Sequence, residues 1–288
     1  MKYENPKIPE GINVSTEHPL IDFLMLAVGV ALSVCAIVVL LAWSAEYAAR
    51  FVPFSVERSL VEKAFLTDRY AAKDEAQVRD IDIYLKALTQ RLVNAANLPE
   101  GMTVRSHLIE DETINAYATL GGNIFILRGL FERMPNENAL AMVIAHEIAH
   151  IKHRDPIIAM ARGISVSFIT STLIGMTNNS LAGGIVGQAG LFTALRFSRE
   201  QETAADAAAL NVLAEVYGHL GGATDLFEIL GAESTSRVPE FFSSHPRSER
   251  RISGVSGRTA ISGNGPLIPL PTFPQANKAT PYYPVPGK

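Results

Sequence analysis

Cysteine is nearly missing from this chain of 288 residues: Cys35 stands alone, which excludes an internal disulfide framework and any cysteine-rich zinc module. Because Cys35 lies inside an apolar block, it says nothing of the redox compartment. Charge is scarce too, at 19% of residues against about a quarter in ordinary soluble domains. Neither sign dominates. With 25 Lys and Arg against 29 Asp and Glu, the net charge is −4, so there is no basic footprint for nucleic acid. No internal repeat is apparent. The length suits one catalytic-sized domain with appendages.

Residues 1–19 are polar, and Pro6, Pro9 and Pro19 discourage a helix there. From 20 to 43 the chain is apolar except for Asp22. About 20 such residues cross a ~30 Å hydrocarbon core, so this stretch reads as one transmembrane helix, with Trp43 and Tyr47 suited to the interface. A signal peptide would have a basic start, a shorter core and a small-residue cleavage site. Lys2 and Lys7 before the span, against Arg50, Arg58 and Lys63 after it, are too even to orient it.

Residues 44–99 form a juxtamembrane helical region. Val61, Phe65 and Leu66, then Ile81, Tyr84, Leu85, Leu88 and Leu92, recur at helical spacing, and the run from Asn97 to Gly101 ends the helix. A core over 100–255 follows. Thr103 to Leu108 reads as a β-run, and Ile114 to Thr119 with Ile124 to Leu127 flank Gly121-Gly122-Asn123 as a hairpin. Asn136 starts a helix over 139–153 that Asp155-Pro156 closes. The apolar, glycine-rich stretch 157–197 is divided by Arg162 and Thr177-Asn178-Asn179 into pieces of about 14–18 residues. These are short for spanning and read as a helical hairpin buried in the fold or lying on the bilayer. An alanine-rich helical pattern covers 198–231. The tail 256–288 carries seven prolines between Pro266 and Pro286 and is expected to be an extended, disordered arm. The expected fold class is α+β, mainly α.

The most informative residues are His146-Glu147-Ile148-Ala149-His150. Four residues apart on a helix, the two imidazoles are offset by about 40° and ~6 Å, so both can hold one zinc ion. Glu147 can instead reach a metal-bound water and accept its proton as hydroxide attacks a carbonyl carbon. With 7 His and 20 Glu in the chain, about one chain in a hundred of this composition carries such a motif by chance. The apolar run Ala139 to Ile144 places it on a buried helix. Two core histidines beside a salt-bridged Glu are the bland alternative.

A catalytic zinc needs a third protein ligand. Pro156 stands where a metzincin would place its third histidine, which excludes that class. His153 lies too far along the helix to share an ion with His146. A carboxylate from Ser198-Arg199-Glu200-Gln201-Glu202-Thr203-Ala204-Ala205-Asp206 remains. Glu202 and Asp206 share a helix face, so one could bind zinc while the other orients a ligand histidine through its distal N–H. The surrounding alanines favour close packing over a solvated face. His18, His107 and His219 show no partner pattern.

His146 to His150 with Ile151, Arg154, Asp155 and Pro156, then Ser198-Arg199, Glu202 and Ala205-Asp206, resembles the membrane zinc metallopeptidases of the HtpX and CAAX-prenyl-protease family. Asn115-Ala116-Tyr117 with Gly121-Gly122 and Arg128-Gly129-Leu130 resembles that family's edge-strand hairpin. Ser244-His245-Pro246 with Arg251-Ile252 resembles its His-Pro element. The likeness covers about residues 60–255 and looks most like a single-anchor branch. It implies a gluzincin fold with one Zn2+ per chain on His146, His150 and Glu202, Glu147 as base, and Asp206 as partner of a zinc histidine. His245 and Arg251 would lie near the zinc and stabilise the oxyanion, or His245 would cap the metal in a latent state.

An endopeptidase must also hold an extended backbone, which an edge strand does by β-augmentation. Ala116, Tyr117, Ala118 and Thr119 are the candidates, with an ordinary sheet edge as the alternative. Arg199 joins His245 and Arg251 as a candidate oxyanion donor or support for the ligands. The expected function is a membrane-anchored zinc metalloendopeptidase. Its partners would be polypeptide substrates, by resemblance damaged or misassembled membrane or envelope proteins, and a lipid bilayer. A noncatalytic membrane-tethered zinc module would not need Glu147, and a nonpeptidase zinc hydrolase would not need the strand. Oligomeric state and the side of the membrane are unread.

Overall fold

The computed structural model describes residues 19–65, 76–174, 197–232, 241, 245–246, 248–263 and 265–272. Expectations for residues 1–18, 175–196 and 273–288 lie outside them.

Helix α1 (Pro19–Ala49) is the apolar segment. It runs past the expected end at Trp43, because Ser44 to Ala49 offers no Gly or Pro to stop it. Its aliphatic side chains are mostly exposed, and by length and composition it can cross a membrane. Helix α2 (Phe54–Phe65) follows after a short turn, then α3 (Ala76–Ala96). Both fall within the expected helical region. On α3 the spacing seen in the sequence becomes the buried face Ile81, Leu85, Leu88 and Leu92.

The three-stranded sheet has the order β1-β3-β2. Strand β1 (Arg105–Ile109) runs parallel to β3 (Asn123–Leu127), and β2 (Ala116–Thr119) pairs antiparallel with β3. The expected hairpin is β2, a 3-10 turn at Leu120–Gly122, and β3. Gly121 at φ 69° and Gly122 at φ 78° make the turn, a region that side chains with a Cβ enter at a cost. All five residues of β3 are buried, whereas β2 forms an edge.

Short helix α4 (Arg128–Arg133) leads into α5 (Glu137–His153). Asn136 caps α5 by accepting the Ala139 N–H at 2.8 Å, as the sequence suggested. Arg154 closes it in the left-handed conformation at φ 66°. Helix α6 (Asp155–Ile174) starts at once, with Pro156 in the first turn, where a missing N–H costs nothing. Arg162 does not break α6. It pairs with Glu46 of α1, 2.5 Å away, and the two helices pack together. Helix α7 (Arg199–Tyr217) opens on a reciprocal cap between Ser198 and Gln201.

The core lies between α3, β3, α5 and α7, through Leu85, Leu92, Ile124, Ile126, Leu140, Ile144, Ile148, Leu210 and Leu213. Helices α8 (Asp225–Ala232) and α9 (Glu249–Ser262) complete the fold. Helix α9 continues past the expected domain boundary at 255. Beyond it the chain is tied to the start of α5, where Ile268 O accepts the Glu137 N–H at 2.8 Å and Ile268 N–H donates to Asn138 Oδ1 at 3.0 Å. The segment 265–272 therefore satisfies an otherwise unpaired N–H at the helix start.

Candidate metal centre

Helix α5 carries His146, Glu147 and His150 into the interior, at 3%, 0% and 0% exposure. Helix α7 packs along α5 and brings Glu202 opposite the two imidazoles. The alanines expected to permit this approach do so on one side: Ala205 and Ala209 are buried, while Ala204 and Ala207 face solvent. His245 enters from the segment before α9, with Phe241 stacked on its ring at 4.7 Å.

Four side chains converge. His146 Nε2 lies 3.0 Å from His150 Nε2 and 3.3 Å from His245 Nδ1. Glu202 Oε1 lies 3.0 Å from His245 Nδ1 and 3.5 Å from His150 Nε2, and Glu202 Oε2 lies 3.5 Å from His146 Nε2. A tetrahedron with Zn–ligand bonds of ~2.0–2.1 Å has edges of about 3.3 Å, so the spacing fits one ion. Nitrogen and carboxylate donors in a buried setting also suit zinc.

The distal ring nitrogens are held by carboxylates. His146 Nδ1 lies 2.9 Å from Asp206 Oδ1, and His150 Nδ1 lies 2.8 Å from Asp155 Oδ2. Each carboxylate keeps the proton on Nδ1 and turns the Nε2 lone pair toward the cluster. Asp206, which the family resemblance implies as partner of a zinc histidine, lies against His146 Nδ1. The contact of Asp155 with His150 has no separate signal in the sequence, where Asp155 reads as a helix stop and as part of the family's motif. Gln201 Nε2 donates to Asp155 Oδ1 at 2.6 Å, and Phe197 stacks on His150 at 4.0 Å. Neither contact had a signal in the sequence.

Electrostatics favour positive charge at the imidazoles. Burial would lower the pKa of His146, but Asp206 and Glu202 push it up to about 10. His150 is raised as well, by Asp155 and Glu202 against burial. Burial opposes ionisation of Glu202, yet the neighbouring histidines hold its pKa well below the carboxylate range. Asp206 is held low against burial by Arg251 and His146. A divalent cation supplies the same positive charge.

Glu147 stands apart from the four donors. Its Oε2 accepts the Ala118 N–H of β2 at 2.7 Å. Its Oε1 is buried without a hydrogen-bond partner among the described residues, as is His245 Nε2, and the two atoms lie 3.4 Å apart. Arg251 sits with the cluster at 3% exposure. It grips Asp206 through Nε at 2.7 Å and Nη2 at 2.8 Å, and its Nη1 lies 2.6 Å from Glu202 Oε2. Arg199 is exposed at the start of α7. Ala116, Tyr117, Ala118 and Thr119 are the four residues of edge strand β2. His107 and His219 bond locally, to Asn123 and to the Gly221 N–H.

Residues 81–259 match the sequence profile of Peptidase family M48. The chain is 26% identical over 211 residues to the mitochondrial metalloendopeptidase OMA1 of Schizosaccharomyces pombe, covering 71% of this chain and 61% of that protein. It is 31% identical over 188 residues to the beta-barrel assembly-enhancing protease of Escherichia coli, covering 61% of this chain and 38% of that protein. A protease HtpX homolog of Desulfatibacillum aliphaticivorans is 28% identical over 242 residues, covering 69% of this chain and 76% of the relative.

Proposed function

The chain belongs to peptidase family M48, and from that premise we propose that it is a zinc-dependent metalloendopeptidase held to a membrane by α1 as a single anchor. The observation that carries this reading is the convergence of His146, His150 and Glu202 beside a Glu147 carboxylate with one oxygen anchored and the other without a hydrogen-bond partner among the described residues.

His146, His150 and Glu202 would hold the zinc, which when bound supplies a Lewis acid that polarises the scissile carbonyl and acidifies water. Glu147 Oε1 is the proton acceptor for the attacking water, and the Ala118 N–H aims it by fixing Oε2. Asp206 and Asp155 orient the two ligand imidazoles. Arg251 neutralises Glu202 and Asp206 and keeps them in place, so its role is support rather than contact with the oxyanion. The substrate would lie antiparallel along β2, where backbone hydrogen bonding is independent of side-chain identity. That suits damaged or misassembled membrane proteins as a substrate class.

His245 Nδ1 belongs to the converging donor set. Four protein donors around a zinc site are the hallmark of a closed centre, whereas a catalytic centre keeps one position open. This arrangement corresponds to a latent form in which His245 must withdraw to admit substrate. It also favours, as the second reading, a noncatalytic zinc-containing module tethered to the membrane.

The test is zinc analysis of the full chain in detergent, with casein cleavage by wild type and Glu147→Gln. Zinc in both with cleavage only by wild type supports the peptidase and its base. Zinc in both with no cleavage by either moves the assignment to the latent form or the noncatalytic module, and His245→Ala then separates those two. No zinc in either removes the basis of both readings.

A further inference from the structure

Resting on the peptidase reading, we infer that Glu57, on the helix after the membrane anchor, is a positioning residue for Glu147. Its carboxylate joins the C-terminal end of α5 to the turn that follows β2.

Glu57 is charged in type yet only 4% exposed, and nothing in the metal centre uses it. Its Oε2 accepts the Gly121 N–H at 3.2 Å, and its Oε1 lies 2.7 Å from Arg154 Nη2. Arg154 is the left-handed residue that closes α5. It also donates to Val52 O in the turn between α1 and α2, and its guanidinium lies over the Phe54 ring at 5.8 Å. The glycine turn is pressed against α2 as backbone: a Cβ on Gly121 would stand 2.8 Å from Arg58 Cα. Ala49, Val61, Leu120, Ile157 and Ile158 form a small apolar cluster where α1, α2, the turn and α6 meet.

These contacts close a circuit around the base. Glu147 lies on α5 two turns before Arg154; Arg154 pairs with Glu57; Glu57 holds Gly121; and Gly121 follows Ala118, whose N–H fixes Glu147 Oε2. Glu57 thus ties together the helix that carries the base and the strand that aims it. Small displacements of a positioned group reduce the rate of chemistry far more than they reduce stability. A buried ion pair by itself is weak evidence for anything beyond packing, so the test must separate geometry from folding.

The experiment uses the full-length, zinc-loaded protein in detergent, with Glu57→Gln compared with wild type on a casein-derived peptide. The expected result is a kcat per bound zinc lower by about tenfold, with KM within about twofold of wild type. Amide hydrogen exchange over residues 116–121 should be faster, with α3 unchanged. Arg154→Lys keeps the charge opposite Glu57 and should lose only about threefold in kcat; it also serves if Glu57→Gln does not fold. Wild-type kcat and KM per bound zinc, with only a lower Tm, would overturn the inference in favour of a packing role. Should wild type and His245→Ala both bind zinc and cleave nothing, the peptidase reading fails by itself. Exchange at 116–121 then still decides the linkage, faster exchange supporting it and unchanged exchange overturning it.

Discussion

Helix α5 is held by two buried carboxylate networks, one at its N-terminal end and one farther along, and the two differ in one respect. At the N-terminal end Glu137 accepts from Tyr84 Oη at 2.6 Å and Tyr217 Oη at 2.9 Å and pairs with Arg91, so donors meet both of its oxygens. In the middle of the helix Glu147 Oε1, Glu202 Oε2 and His245 Nε2 lack hydrogen-bond partners among the described residues, but Glu202 Oε2 is paired with Arg251 Nη1 at 2.6 Å, whereas Glu147 Oε1 faces His245 Nε2 at 3.4 Å. A buried polar atom without a partner costs about 1–3 kcal/mol. A carboxylate that spends both oxygens on protein donors joins helices; one with an oxygen to spare can take a proton.

The sharpest way to break this comparison is at Glu147 Oε1. Glu147→Gln keeps the shape and can still accept the Ala118 N–H, yet casein cleavage should fall by about three orders of magnitude with zinc retained; an active variant would end the assignment of the base. Next in size, Arg251→Leu strips the cation from two buried carboxylates and should lower stability in urea by about 3 kcal/mol. A loss under about 1 kcal/mol would show that the histidines alone neutralise them.

Glu137→Gln removes the charge from the satisfied network and should cost about 1–2 kcal/mol, leaving kcat per bound zinc unchanged. Its pH dependence follows from the direction of the shift. Despite burial, Tyr84, Arg91 and Tyr217 hold the Glu137 pKa below its ordinary value. The stabilisation is therefore present above the unfolded carboxylate pKa of about 4.3 and is lost as pH falls through the lower folded value. The gap between wild type and Glu137→Gln in urea denaturation should narrow in acid; a constant gap would contradict this. The smallest effect is expected at His245. If it caps the centre, His245→Ala should weaken zinc binding and raise basal casein cleavage by a few-fold each. Unchanged zinc affinity and activity would exclude the capping role.

The same contrast explains what could be read before folding. His146, Glu147 and His150 were legible because a helix converts a spacing of four residues into a shared face without reference to the rest of the chain. The hairpin turn at Gly121-Gly122 and the cap at Asn136 were legible for the same local reason. The span of α1 was readable from its apolar length, though its end was not, since nothing local stops it. Arg162 looked like an interruption of an apolar stretch because its partner Glu46 lies on another helix, 116 positions earlier in the chain. Arg251 was expected near the oxyanion, and its engagement with Asp206 and Glu202 depends on how α9 crosses α7.

By itself, then, the sequence determined the helix that carries His146, Glu147 and His150 on one face and the apolar helix α1, because each arises from periodicity or composition within one segment. The choice between Glu202 and Asp206 as zinc ligand could not be made from their spacing, since both lie on one face of α7. Packing of α7 against α5 separates them: Glu202 meets the inner nitrogens of the cluster and Asp206 the outer nitrogen of His146. Tertiary structure also brought His245 to the donor set and Glu57 to Gly121. The Glu57 and His245 contacts join residues 64 and 43 positions apart. Contacts at that separation follow from how the core closes, which no local pattern encodes.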